Sequence, residues 1–277
     1  KNRECIGSLA DFISSRYGKS QFLGKLITLL CIVGIVPYIS LQIKSVSESF
    51  SVMTGLDESY SEGLFTNPGF YVTLTMCLFT ILYGTRYIRS SGPKPGMIAT
   101  IAVESLIKLF AFLVVGVAAV MFLADQQISI DQVFEPLGNS LGGESEWSGL
   151  LLVSFLAMFL LPRQFHMGVV EVSNVKNIRK SIWLFPLYLF LINLFVVPLA
   201  AAGTLALPGL NPDYYTITFA SFFGGDTMAI LAFIGGLSAA GSMIIVSTLA
   251  LGNMLSTWFF IPNLKSSESA NVARRII

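Results

Sequence analysis

Charge is what this chain has least of. Of its 277 residues, 12% are charged and 54% are hydrophobic, whereas a soluble domain carries about 25% charge. Too little polar surface remains to cover a water-soluble globule of this length. A soluble enzyme, a nucleic-acid binder and a disordered chain are therefore excluded. Net charge is +1, so no bulk field points to nucleic acid. Histidine occurs once, and neither HExxH nor GxSxG is present. Cysteine is sparse: Cys5, Cys31 and Cys77 lie far apart without a CxxC and read as small buried hydrophobes. The glycine-rich Gly235–Ser242 lacks the lysine and flanking strand of a phosphate loop. Lys1–Ala10 is polar, shows no signal-peptide pattern and follows no initiator Met. The chain therefore reads as an internal piece, residues 1–277, of one domain in a longer protein.

What the chain has in abundance is long apolar runs. A helix needs about 20 mostly apolar residues to cross a hydrocarbon core of about 30 Å. Six segments qualify: Phe22–Ile43, Gly69–Tyr87, Met97–Ala124, Trp147–Val170, Ile182–Leu207 and Thr227–Ile261. The last exceeds the core thickness and must tilt, protrude or break, with Gly235–Gly236 as the expected weak point. The fold class expected is an all-α polytopic membrane protein with six transmembrane helices.

The connections carry charge of alternating sign. Lys1, Arg3, Arg16, Lys19 and Lys25 precede or open the first run; Glu48, Asp57, Glu58 and Glu62 follow it. Arg86, Arg89 and Lys94 come next, then Asp125, Asp131, Glu135, Glu144 and Glu146. Arg163, Lys176, Arg179 and Lys180 follow the fourth run, Asp213 and Asp226 the fifth, and Lys265, Arg274 and Arg275 the sixth. Basic loops stay on the cytoplasmic side. Both ends are thus expected in the cytoplasm, with the chain in the inner (plasma) membrane and lipid as its first partner. Pro208–Gly225, aromatic and too short to cross twice, reads as an external helix in the interface or capping a cavity.

Polar residues at membrane depth are costly and are read first as functional candidates. Glu104 and Lys108, at i and i+4, share one helix face. They read either as a self-neutralising pair or as a carboxylate beside an ion or proton path. Gly235, Ser238, Ala239 and Ser242 also fall on one face. They read either as a close-packing stripe or as a polar track in which a hydroxyl and freed carbonyls replace the water shell of Na+. Pro162 removes a backbone donor and is expected to kink or open the fourth span, with Arg163, Gln164 and His166 crowding the break. That break either lines a cavity or sits at the cytoplasmic edge. Tyr38 and Gln42, near Pro37, form a weaker cluster.

The order of these features resembles the sodium/solute symporter family. ADFISSRYGKS at Ala10–Ser20, running into YISLQIKSV, is similar to that family's ADF–RYG segment and its following helix. IGGLSAAGSMIIVSTLAL resembles its sodium-site helix. Glu104–Phe112, Leu161–Glu171 and Phe185–Ala200 resemble segments of hybrids in which a symporter-like domain is fused to a sensor histidine kinase. The resemblance implies a partial inverted-repeat fold of the leucine-transporter type, with the six spans as core helices three to eight. It implies no cofactor, with Na+ as coupling ion. By position, Ser238 would offer a hydroxyl and Gly235 a carbonyl to that metal ion, with Ser242 and Glu104 as further ion-site candidates. Ala239 stands where the family usually has a second hydroxyl. Phe159, Gln164, His166 and Gln42 become candidates for contact with a small organic solute such as an amino acid.

Two functions follow from the resemblance. One is the solute-sensing or transporting module of a symporter–histidine kinase hybrid, with a kinase module in the same chain as partner. The other is the core of a plain secondary transporter coupled to Na+ or H+. An intramembrane enzyme lacks paired acids or metal-spaced histidines, and any kinase activity is expected beyond residue 277. No ring-forming filter of a channel is visible.

Overall fold

The computed structural model describes residues 6–55, 68–84, 95–128, 133, 144–172 and 175–260. Among them the chain is about 90% helical, with no strand. The charges Lys1, Arg3, Asp57, Glu58, Glu62, Arg86, Arg89, Lys94, Asp131, Glu135, Lys265, Arg274 and Arg275 lie outside the described residues.

A short helix, α1 (Leu9–Arg16), begins the described chain. Ser8 caps it by accepting from the Asp11 N–H at 3.1 Å. Asp11 in its first turn and Arg16 in its last complement the helix dipole. Ser20 caps α2 (Gln21–Thr54) by accepting from the Leu23 N–H, and Gly55, in the left-handed region, ends it. With 34 residues, α2 is about 51 Å long and runs about three turns past the expected end at Ile43. Next come α3 (Pro68–Gly84), α4 (Pro95–Asp125) and α5 (Glu144–Leu160).

Leu161 is extended, and the short α6 (Pro162–Phe165) passes directly into a π-helical turn, His166–Val170. The axis bends by 49° between Trp147–Leu160 and Pro162–Val170. Pro162 therefore breaks the fourth apolar run as its chemistry dictates. α7 (Val175–Asn193) and α8 (Val196–Ala206) form one apolar stretch, Ile178–Ala206. A 3-10 turn, Pro212–Tyr214, leads into α9 (Tyr215–Leu255), which ends in a π turn at Ser256–Phe260.

The break in α9 is not at Gly235–Gly236. It lies at Gly225, whose φ of 65° and ψ of −162° are non-helical and are reached almost only by glycine. Gly235 serves a different end: its missing Cβ makes room for Ala111 of α4. The segment before Gly225 packs inward, with Phe219 and Ala220 buried against Val115, Ala118 and Ala119 of α4 and Leu199 and Ala202 of α8. The inner part of the expected external helix thus caps the α4–α8–α9 core.

α9 is the central element and packs chiefly against α4 and α2. A second core joins Leu9 and Ala10 of α1 to Met254, with Phe165 and Trp258 against them. Outside these cores the helices are apolar and uncovered. On α5, the consecutive Leu150, Leu151, Leu152 and Val153 are all exposed, and on α7 Trp183 is 81% exposed. Four consecutive residues cover the whole circumference of a helix, and a helix apolar all round needs an apolar surrounding. Among the described residues, four helices are long and apolar enough to cross a membrane, or five if the bent pair is one span. α3, with 17 residues, is about 26 Å long, at the lower limit for a crossing.

Candidate functional site

The seam between α4 and α9 is built by small residues. Gly235 is buried against Ala111, which lets the two backbones approach. One turn on, the Ser238 hydroxyl reaches across the seam and donates to the Glu104 backbone carbonyl at 2.9 Å. Ser242 instead turns back on its own helix, donating to the Ser238 carbonyl at 3.2 Å and the Ala239 carbonyl at 3.1 Å. Close packing and a polar contact therefore coexist on this face.

Glu104 and Lys108 do not form the pair their spacing allows. Glu104 Oε2 is buried and has no hydrogen-bond partner, and no ion pair joins the two side chains. The Lys108 ammonium instead lies over the Tyr188 ring of α7, 5.9 Å from its centroid. Tyr188 is held there by donating its hydroxyl to the Ser105 carbonyl at 3.2 Å. An aromatic face attracts the cation and draws Lys108 away from Glu104.

The break after α5 supplies a second group. The Arg163 guanidinium stacks on the Tyr38 ring of α2, 4.5 Å from its centroid, and donates to the Tyr38 hydroxyl. That hydroxyl donates onward to Met243 Sδ of α9. Three elements distant in sequence thus converge: α2, the broken helix and the middle of α9.

Beyond Arg163 the π turn brings together two groups that an α-helix would separate. Its i+5 hydrogen bond, from the Glu171 N–H to the His166 carbonyl at 3.0 Å, stacks His166 over Glu171. His166 Nε2 lies 3.3 Å from Glu171 Oε1, with the side chains 5% and 3% exposed. The two atoms are close without an aligned hydrogen bond, since Nε2 finds no acceptor in good geometry. Phe165, in the preceding turn, packs on Phe12 of α1 at 5.6 Å, which places this pair near α1 and the end of α9.

The remaining candidates fall elsewhere. Gln164 is exposed, and Phe159 is 58% exposed with its ring edge-on to Phe155. Gln42 is half-buried on α2, one turn beyond Tyr38. Glu171 was not singled out from the sequence; a second ionisable group five residues from His166 in an apolar stretch was the available signal. A cavity of about 280 Å³ lies beside the Gly225 break, lined by Met53, Ser221, Asp226, Ala229 and Ile230. Among the described residues no cluster of three or more His, Cys, Asp or Glu is set up for a metal ion. Ser238 and Gly235 would offer a hydroxyl and a carbonyl, a weaker donor set suited only to a hard cation such as Na+. No protein-family model, no curated protein and no solved structure matches the chain.

Proposed function

We propose that the chain is the membrane domain of a sodium/solute symporter-like protein, serving as the solute-sensing or transporting module of a symporter–histidine kinase hybrid. It crosses the inner membrane six times with both ends in the cytoplasm. The observation that carries this reading is the α4–α9 seam. There an intramembrane carboxylate, Glu104, keeps a buried oxygen without a partner, while its backbone carbonyl takes the Ser238 hydroxyl. An orphaned acid at that depth is costly unless it exchanges a proton or meets a cation. The broken fourth helix supports the same reading, because irregular backbone at membrane depth is tolerated where it lines a cavity. Na+ or H+ couples at Glu104, Ser238, Gly235 and Ser242, and a small organic solute binds beside the break. The kinase partner rests on the sequence resemblance.

Uptake of labelled amino acids into vesicles carrying the full-length protein tests the proposal. Uptake should rise with an inward Na+ gradient, and Ser238→Ala should abolish that rise while costing about 1 kcal/mol of stability for the lost interhelical bond. An unchanged Na+ response in Ser238→Ala contradicts the ion-site assignment.

A further inference from the structure

We propose that the turn joining α1 to α2 binds the headgroup of an anionic phospholipid, whose acyl chains lie along the first half of α2. The inference is independent of symport and needs only that the chain lies in a bilayer. The residues are brought together by the chain itself. The buried Ser14 is the pivot. Its carbonyl accepts from the Tyr17 N–H at 3.1 Å and the Lys19 N–H at 2.9 Å, and its hydroxyl donates to the Ser20 carbonyl at 2.9 Å. Ser20 in turn caps α2. Gly18 and Lys19 both take the left-handed conformation, with φ of 68° and 56°. Glycine does so freely, whereas a lysine is held there only by the bonds around it. The turn is therefore fixed, and it presents Arg16, Tyr17, Lys19 and Phe22 as one exposed patch.

Two properties of that patch select its partner. The first is charge. Arg16 and Lys19 stand on the turn, Lys25 follows just inside α2, and no acidic residue occurs between Asp11 and Glu48. Asp11 is engaged at the other end of α1, where its Oδ2 accepts from the Gly7 N–H at 3.1 Å. The Arg16 guanidinium lies over the Phe12 ring, 5.5 Å from its centroid, a contact that brings no full negative charge. Arginine presents a planar fork that matches phosphate oxygens. The second property is bare hydrocarbon. Tyr17 is 70% and Phe22 76% exposed. From Phe22 the exposed Leu26, Leu29, Val33 and Val36 follow at alternating steps of four and three residues, which is one helix face. That stripe covers about 21 Å of α2, more than one leaflet of a hydrocarbon core about 30 Å thick. A soluble anion would satisfy the charges and leave the stripe bare. A purely apolar partner would do the reverse. A lipid with a negative headgroup satisfies both at once.

The test uses the full-length protein in bilayer discs of phosphatidylcholine with and without phosphatidylglycerol. Native mass spectrometry reads the lipids retained after transfer to mild detergent, and thermal unfolding is followed in the discs. Phosphatidylglycerol should be retained over phosphatidylcholine and should raise the unfolding temperature. Arg16→Gln/Lys19→Gln should weaken that preference about tenfold or more, as expected for two charges lost at a membrane surface. Phe22→Ser should weaken it with every charge in place. Lys19→Gly separates the lipid role from a structural one. Glycine suits the left-handed position, so this variant should unfold no lower in phosphatidylcholine alone and yet retain less phosphatidylglycerol. Arg179→Gln/Lys180→Gln removes two exposed charges from α7 and should leave the preference unchanged. Equal retention of both lipids by the parent protein overturns the proposal. An equal loss in the α7 variant assigns the preference to diffuse surface charge and also overturns it. So does equal stabilisation by glycerol phosphate in discs of phosphatidylcholine alone, which assigns the cations to a soluble anion.

Discussion

His166→Ala is expected to destabilise the folded chain by about 1–3 kcal/mol, the cost of removing one polar partner from a buried pair. The Glu171 side chain is 3% exposed and lies 3.3 Å from the imidazole. Without His166 the buried Glu171 carboxyl loses one polar neighbour, and space opens where the buried imidazole stood. Both changes cost folding free energy. The pair also closes the π turn that joins α6 to the packing around Phe12, Phe165 and Met254, so its loss should loosen α1 as well. Glu171→Gln, which keeps the shape and removes the charge, should cost less. The double variant His166→Ala/Glu171→Gln should be more stable than His166→Ala alone, and that coupling separates a polar pair from mere packing. Denaturant-induced unfolding in bilayer discs measures all three. Equal losses in the single and double variants would contradict the pairing.

Gly235→Leu is expected to cost about 3 kcal/mol, the upper end for overpacking a close contact. A Cβ at this position would stand 2.5 Å from the Ala111 Cβ, a separation that real side chains do not tolerate. α4 and α9 must then part, and the Ser238–Glu104 bond across the same seam goes with them. Gly236, the next residue, supplies the control: a Cβ there meets nothing within 4 Å. Gly236→Ala should therefore be neutral or stabilising, by up to about 1 kcal/mol, through helix propensity alone. The smaller Gly235→Ala should be relieved by Ala111→Gly, which vacates the same space. Thermal unfolding of these variants checks the seam. Equal effects at 235 and 236 would contradict it.

The helices were legible because lipid-length apolar runs need no partner to be recognised. Their ends were less so: α2 runs on to Thr54 because a helix does not stop where hydrophobicity does. Glycine carried two meanings that composition cannot separate. Gly225 supplies a backbone angle and Gly235 supplies space, and only the neighbouring Ala111 tells them apart. Spacing rules failed at the π turn, since i and i+5 do not share an α-helical face. That is why Glu171 went unnoticed beside His166. The same rules put Glu104 against Lys108, whereas the Tyr188 ring, 80 residues further along the chain, takes the lysine. Arg163 meeting Tyr38, 125 residues apart, depends on tertiary packing that no local pattern encodes.

The central claim is that the chain threads a bilayer with its basic loops on one side. In a background with Cys5, Cys31 and Cys77 changed to serine, single cysteines placed at Asp57 and at Lys94 can be labelled in intact cells with a membrane-impermeant thiol reagent. The Asp57→Cys protein should react from outside, and the Lys94→Cys protein only after the membrane is opened. Labelling of both from the same face would contradict the account.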